Sequence, residues 1–158
     1  EIYTLSLHDA LPIYELGELS RQEREGAALL SGADGDALRA SLAALGYAPE
    51  DWCAAATCLR DGRSLTADTL VRTVVTLDPS TLIICDDAAA AAVRGAYADE
   101  LSSLPDARQS ALEAGWVVPL LGMRAMNLGG FAAALLDQRQ KQLMWARLKQ
   151  LPPLGEPY

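Results

Sequence analysis

A run of five residues, Thr81-Leu82-Ile83-Ile84-Cys85, constrains the fold more than any other feature of the chain. Leucine, two isoleucines and a cysteine in succession leave no polar face for water, so the run predicts a strand that is covered on both sides. Apolar residues recur at helical spacing from Thr66, a predicted N-cap, to Leu77, and Asp86-Asp87 precede an alanine-rich helix. Helices before and after one buried strand favour the α/β class. We expect a three-layer α/β/α sandwich around a short, mainly parallel sheet.

The other periodic segments add strands and helices to this unit. Tyr14 to Glu18 is typical of the end of a first strand, and open α/β sheets bind ligands at the carboxyl ends of their strands. Gly46 is the expected C-cap of a helix over 36–45, and in a strand over 115–121 Pro119 favours either a sheet edge or the end of the strand. The remaining predictions are a loop over 19–35, a second strand over 52–58, a less regular stretch over 98–113, a short strand and loop over 122–130, a helical turn over 131–136 and a basic amphipathic helix over 138–151.

The composition is that of one globular domain. The chain has 158 residues, of which 51% are hydrophobic, so it is long and apolar enough to bury a core. Asp, Arg or Gly interrupts its apolar stretches well before the roughly 18 residues that a membrane span needs. Its three cysteines are an odd number, and we recognise no export signal. Together these features predict reduced thiols and a cytoplasmic location.

The first thirteen residues, EIYTLSLHDALPI, are similar to the in-frame translation of a common sequencing adapter, and we expect them to be non-native. The natural domain is then expected to cover 14–151, to be truncated at its N-terminus and to be followed by a tail over 152–158. The adapter-like segment contains Glu1, Asp9 and His8, the only histidine. Without the two acids the net charge changes from −8 to −6, and an acidic chain gives no electrostatic support to tight nucleic-acid binding.

Five segments keep, in order, the motifs of one known family. Leu16-Gly17-Glu18 and the run QEREG from Gln22 to Gly26 are similar to a first active-site motif, GEAPG followed by a QEDREG-like run. The closing segment, Lys141 to Lys149, matches a K-x-x-x-W-x-x-L-K helix. The other matches are a glycine-rich turn and helix over 32–47, a strand and loop over 52–63 with Cys58 on a motif cysteine, and a strand and helix over 77–91. On these motifs the chain resembles the uracil-DNA glycosylase superfamily, most closely its bacterial iron–sulfur branch.

The resemblance implies hydrolysis of the N-glycosidic bond of uracil in DNA, a step of base excision repair. Such an enzyme flips the base into a pocket, activates water with a carboxylate and stabilises the charge that develops on the base. Glu18 is the implied catalytic carboxylate. The implied substrate-binding residues are Gly17, Leu19, Ser20 and Asn127, and the implied contacts to DNA phosphates are Arg60 and Arg63.

Several motif positions of the family carry different residues here. Members with a cluster hold it with four cysteine thiolates, and Cys58 alone lies at a matching position, so we expect no metal site and no cofactor, with Cys58 a remnant. The HPS-like motif falls at 127–129, which has no histidine, and the base-reading asparagine falls at Ala54. The stacking aromatic residue falls at Leu29 or Leu30. Because loss of one charge-stabilising donor commonly costs about 100- to 1000-fold in rate, the resemblance implies weakened or absent activity.

Two other interpretations stay open. One is a catalytically silent member of the superfamily that binds nucleic acid or a protein partner, and the other is an unrelated α/β protein with a different strand order. Single residues also have ordinary explanations: Glu18 is then a solvated loop residue, Asp86 a helix cap rather than half of a metal pair, and Trp145 a core residue. As partners we expect DNA, bound weakly because the chain is acidic, with no membrane contact and a monomeric state.

Overall fold

The computed structural model describes residues 12–16, 33–59 and 63–154, which contain both strands and helices. Its strands are β1 (Pro12–Leu16), β2 (Cys53–Ala56), β3 (Thr81–Ile84), β4 (Val117–Leu120) and β5 (Met123–Asn127). Its α-helices are α1 (Ala33–Leu45), α2 (Ala67–Leu77), α3 (Asp87–Ala96), α4 (Ala98–Ser102), α5 (Ala107–Ser110), α6 (Phe131–Ala134) and α7 (Gln138–Leu148). The predicted α/β class is confirmed. None of the helices in the described ranges combines the length and the apolar character needed to cross a bilayer.

The strands form one sheet in the order β2-β1-β3-β5-β4. Strands β1, β2, β3 and β5 are parallel, and β4 pairs with β5 in the antiparallel direction. The expectation of a mainly parallel sheet is therefore confirmed. All four parallel strands end on one side of the sheet, which we call the carboxyl edge, and begin on the opposite side, the amino edge.

Strand β3 lies in the middle of the sheet and is buried on both faces. Leu82, Ile83 and Ile84 are each 0% exposed, as predicted from the absence of polar side chains in this run. Successive side chains of a strand point to opposite faces. Leu82 and Ile84 accordingly join one apolar cluster, whereas Ile83 and Cys85 join another. The two clusters lie on opposite sides of the same backbone.

Helices cover both faces of the sheet. On the first, the α2–α3 face, buried side chains of α2 and α3 such as Leu70 and Val93 pack with Leu82 of β3. On the second, the α1–α7 face, Leu42 of α1 and Leu148 of α7 pack with Ile83. The short helix α6 joins the second face through Phe131. Strand β3 thus contributes side chains to both apolar clusters, which is why no polar residue interrupts Leu82-Ile83-Ile84.

The ends of the helices follow the predicted local signals. The Thr66 hydroxyl accepts a hydrogen bond from the Thr69 N–H at the start of α2, and Asp86 Oδ1 accepts one from the Ala89 N–H at the start of α3. The cap role predicted for Asp86 is therefore confirmed. Gly46 follows α1 with a φ of +107°, the left-handed region in which glycine avoids the strain of a side chain.

Strands β4 and β5 form a hairpin at one end of the sheet. Leu121 and Gly122 make its two-residue turn. Their φ values are +48° and +83°, and a type I′ turn requires a positive φ at both positions. Pro119 lies in the edge strand β4, where the lack of an N–H on proline costs the sheet no hydrogen bond. Of the two predicted placements, a sheet edge or the end of the strand, the structure shows the sheet edge.

A group of hydrogen bonds joins the amino edge to the end of the described chain. Arg124 Nε donates to the Thr81 hydroxyl at 2.7 Å, and Arg124 Nη2 donates to the Tyr47 hydroxyl at 3.1 Å and to the Pro152 carbonyl. The Tyr47 hydroxyl in turn donates to the Leu151 carbonyl at 2.7 Å. The residues after α7 are thus fixed against the starts of β3 and β5.

Several elements differ from those predicted. Helix α1 begins at Ala33, inside the stretch predicted as a loop, and β2 is shorter than predicted. Helices α4 and α5 lie in the stretch predicted as irregular, because five and four residues are too few to show a helical period. Helix α7 ends at Leu148 rather than 151. Strand β1 includes Pro12 and Ile13, the last two residues of the segment expected to be non-native.

Candidate functional site at the carboxyl edge

The strand order predicts a ligand-binding crevice at the carboxyl edge beside β1. From β1 the chain passes to β2 on one side and then crosses to β3 on the other. Open α/β sheets bind ligands outside the carboxyl ends of their strands, at the point where the strand order reverses in this way. The ends of β1 and β3, at Leu16 and Ile84, flank that point.

Most of the predicted site residues lie outside the residues that the structure describes. Those residues are Gly17, Glu18, Leu19, Ser20 and Arg60. Gly17 is the residue after the last residue of β1, so the proposed catalytic segment continues from the strand at the reversal point. Two predicted residues, Arg63 and Asn127, are described, and the assignments of the others stay predictions.

Arg63 lies in the loop that follows β2. An isolated bridge pairs Cys58 with Ser64, and the Leu59 N–H donates to the Arg63 carbonyl at 2.7 Å, so the two ends of the loop are held together. The Arg63 side chain is exposed at the carboxyl edge. Its strand, β2, is three strand spacings, about 14 Å, from β5. The structure therefore does not bring Arg63 and Asn127 together into one contact site.

Asn127 ends β5 and is 3% exposed. Its Nδ2 donates to the Leu112 carbonyl at 3.2 Å, and its Oδ1 accepts from the Gly129 N–H at 2.9 Å. Its main-chain carbonyl accepts from the Gly115 N–H at 2.8 Å. Asn127 thus joins the loop before β4 to the loop after β5. Its predicted contact with substrate stays a prediction, and these bonds give it a positioning role.

The segment after β5 crosses the end of β3 and is hydrogen-bonded to it. The Leu128 N–H donates to the Ile84 carbonyl at 2.8 Å, and the Phe131 N–H donates to the Cys85 carbonyl at 3.0 Å. From α7, Arg147 Nη1 donates to the Leu128 carbonyl at 2.5 Å. Backbone bonds and one cation therefore hold the 128–131 segment at the end of β3, beside the predicted crevice. Sequence reasoning missed Arg147 because its acceptor is nineteen residues away and leaves no local pattern.

Two carboxylates lie on the same edge. Asp86 caps α3, and Asp87 occupies its first turn. Both sit where the positive end of the helix dipole favours negative charge, so their position has a structural cause. In the described ranges, no group of three or more His, Cys, Asp or Glu side chains is placed to hold a metal ion. Cys58, the predicted cluster remnant, is 3% exposed.

Two pKa shifts among the described side chains lie at the amino edge. Burial raises the pKa of the Tyr47 phenol above its ordinary 10.0, although the neighbouring Arg124 guanidinium acts in the opposite direction. Burial also raises the pKa of the Cys53 thiol, at the start of β2. A raised pKa keeps this thiol protonated and makes it a weak nucleophile. These two groups therefore belong to the structure of the sheet rather than to the crevice.

Comparison with known proteins adds no relative. The chain matches no protein-family model, and no curated protein matches it. The candidate site is consequently defined by the strand order, by Asn127 and by the fastened 128–131 segment.

Proposed function

We propose that the chain is a uracil-DNA glycosylase-like hydrolase with a three-layer α/β/α sandwich of that superfamily's type. The observation that supports the proposal is the reversal of strand order beside β1, followed directly by Gly17 and Glu18. Glu18 is two residues after Leu16, and two residues of chain reach at most about 7 Å. The proposal therefore assigns the water-activating carboxylate to Glu18, on the segment that follows β1 in the sequence.

The proposed reaction breaks the bond between uracil and C1′ of deoxyribose. Glu18 accepts a proton from water as the water oxygen bonds to C1′, and uracil leaves with the bonding electron pair. Main-chain groups of Leu19 and Ser20, with Gly17 allowing close approach, donate to the base as its charge develops. Asn127 contributes by keeping the neighbouring 128–131 segment in place, and any direct contact with the base comes in addition to its bonds to Leu112 and Gly129.

DNA binding in this proposal is weak and strongly dependent on salt. Arg60 and Arg63 contact phosphates from the loop after β2, while the chain as a whole carries a net charge of −8. The repulsion between an acidic protein and DNA lowers affinity at every sequence. Assays therefore belong at low ionic strength, with the protein in excess over the oligonucleotide.

The test is the release of free uracil from a uracil-containing oligonucleotide in a single turnover. We expect release by the intact chain and a loss of about 100-fold or more in Glu18→Gln, which keeps the size of the side chain and removes its basic carboxylate. The matched control is Glu50→Gln, because Glu50 is exposed and lies just before β2 at the amino edge. The absence of release by the folded, intact chain would contradict the enzyme proposal, as would an equal loss in both variants.

A catalytically silent nucleic-acid-binding protein is the second candidate. Two observations support it. The side-chain amide of Asn127 is already bonded to main-chain groups rather than directed at a substrate, and the Arg63 side chain is exposed where it can contact a phosphate. This candidate predicts oligonucleotide binding that is indifferent to uracil. Arg63→Gln should then lower the slope of log affinity against log salt by about one unit, whereas Arg72→Gln, an exposed change on α2, should not. Binding that depends on uracil would favour the enzyme.

A further inference from the structure

A cleft of about 500 Å³ opens between α1, α6 and α7 on the α1–α7 face. Its volume is within the roughly 300–1,000 Å³ of small-molecule sites. Phe131, Leu135, Met144 and Leu148 supply apolar surface to its walls. Trp145 adds an aromatic ring that is half-buried, so part of the ring is available to a ligand in the cleft. These walls favour a flat, apolar molecule.

The charge in the cleft has one sign. Among the lining residues that the structure describes, Lys141 carries the charge. Its helix, α7, contains two arginines besides this lysine and no Asp or Glu. The Ser41 hydroxyl, also in the lining, donates to the Ala37 carbonyl at 2.8 Å and is therefore already paired. The exposed Lys141 ammonium therefore favours an anionic group on the ligand, although the chain as a whole has a net charge of −8.

The cleft is poorly suited to a nucleobase. A base is recognised through several hydrogen-bond donors and acceptors on its edge. The described lining offers one ammonium group, one indole N–H and one paired hydroxyl among apolar side chains. A ligand with one negative charge next to Lys141 and an apolar body against Phe131 and Trp145 matches this lining better than a base does.

We infer that the cleft binds a small aromatic carboxylate, with its ring system between α1 and α7 and its carboxylate at Lys141. This inference concerns a site separate from the proposed glycosylase crevice and does not depend on that function. The carboxylate remains near solvent, where Lys141 is exposed, and the aromatic rings leave water. Burial of the rings therefore supplies most of the affinity, and the charge supplies selectivity.

The probe is 2-naphthoate, with the neutral 2-naphthamide as its matched control. Calorimetry on the intact chain should give one-to-one binding of naphthoate with a Kd below about 1 mM, the strength expected for a ligand of this size. Naphthamide should bind about two- to fivefold more weakly, as for the loss of one exposed ion pair. The Trp145 indole N–H resonance should shift on titration with naphthoate. Absence of saturable binding, or equal affinity for the two probes, would overturn the inference.

Three variants locate the site. Lys141→Gln should bind naphthoate and naphthamide equally, whereas Arg139→Gln, an exposed change on the same helix outside the cleft lining, should keep the preference for naphthoate. Ala37→Phe places a ring in the cleft and should abolish binding. Naphthoate binding that is unchanged in folded Ala37→Phe would place the site elsewhere and reject the inference. If Ala37→Phe does not fold, the comparison of Lys141→Gln with Arg139→Gln still decides.

Discussion

The two faces of the sheet differ in how their helices are connected. On the α2–α3 face, α2 and α3 lie directly before and after β3, and short turns join all three. On the α1–α7 face, α1 ends at Leu45 whereas α6 and α7 begin at Phe131 and Gln138. The cleft of about 500 Å³ lies between these distant helices. Helices tied closely to one strand are positioned by their turns, whereas helices remote in sequence are held by side-chain packing and by long-range bonds such as that from the Tyr47 hydroxyl to the Leu151 carbonyl.

Truncating one leucine on each face tests this difference and should have the largest effect. Leu70 on α2 and Leu148 on α7 are 2% and 1% exposed, but only Leu148 lines the cleft. We expect Leu70→Ala to lower the free energy of unfolding by about 4 kcal/mol and Leu148→Ala by about 2.5 kcal/mol, since cost rises with the sealed cavity left behind. Urea unfolding measures both values. Equal costs would mean that the two faces are packed alike.

Asn127 connects the two faces, so its removal should weaken both. Leu112, which accepts from its amide, belongs to the cluster of the α2–α3 face, whereas Leu128, the next residue, belongs to that of the α1–α7 face. Asn127→Ala removes the acceptor of the Gly129 N–H and one of two donors to the Leu112 carbonyl, which keeps its bond from Arg94 Nη2 at 3.3 Å. We expect a loss of about 2–3 kcal/mol in urea unfolding. Thr76→Ala, an exposed control on α2, should change stability by less than about 0.5 kcal/mol.

The Arg124 hydrogen bonds fix the amino-edge end of the α1–α7 face, and their loss should have an intermediate effect. Arg124→Met keeps a long apolar stem and removes the donors to Thr81, Tyr47 and Pro152. Because the group is partly exposed, we expect a loss of about 1–2 kcal/mol. Faster amide hydrogen exchange at Leu151 should accompany it. Arg139→Met on exposed α7 should cause neither change, and a similar loss there would indicate a general charge effect.

The pH dependence of stability should show the smallest effect. Burial raises the pKa of Tyr47 above 10.0 in the folded chain, so the neutral phenol is the favoured form there. This contribution to stability is complete below the unfolded pKa and is lost as the pH rises from about 10 through the folded pKa. Tyr47→Phe should therefore reduce the fall in stability above pH 10, as measured by urea midpoints. An unchanged slope would show that Tyr47 ionises equally easily in both states.

Local signals in the sequence predicted much of the α2–α3 face. The Thr66 and Asp86 caps, the gapless strand β3 and the edge position of Pro119 each depend on residues within a few positions of one another. The end of α1 at Gly46, on the other face, was predicted from the same kind of local signal. Local backbone sterics and hydrogen bonding are sufficient to specify such features.

The candidate site was only partly predictable. That β1 ends near Glu18 followed from the pattern, but the reversal of strand order beside it depends on which strands pair. The partners of Asn127, fifteen residues away at Leu112 and across a hairpin at Gly115, leave no periodic trace. Helices α4 and α5 escaped prediction because each is shorter than two helical turns.

The sequence by itself determined the element types, their caps and the double burial of β3, because these depend on side chains that are neighbours in the chain. Only the tertiary structure decided the strand order, the Arg124 and Asn127 hydrogen bonds and the cleft beside Trp145. Each of these joins segments far apart in the chain. Their closure costs entropy that only the packing of the whole domain repays, so no short stretch of sequence encodes them.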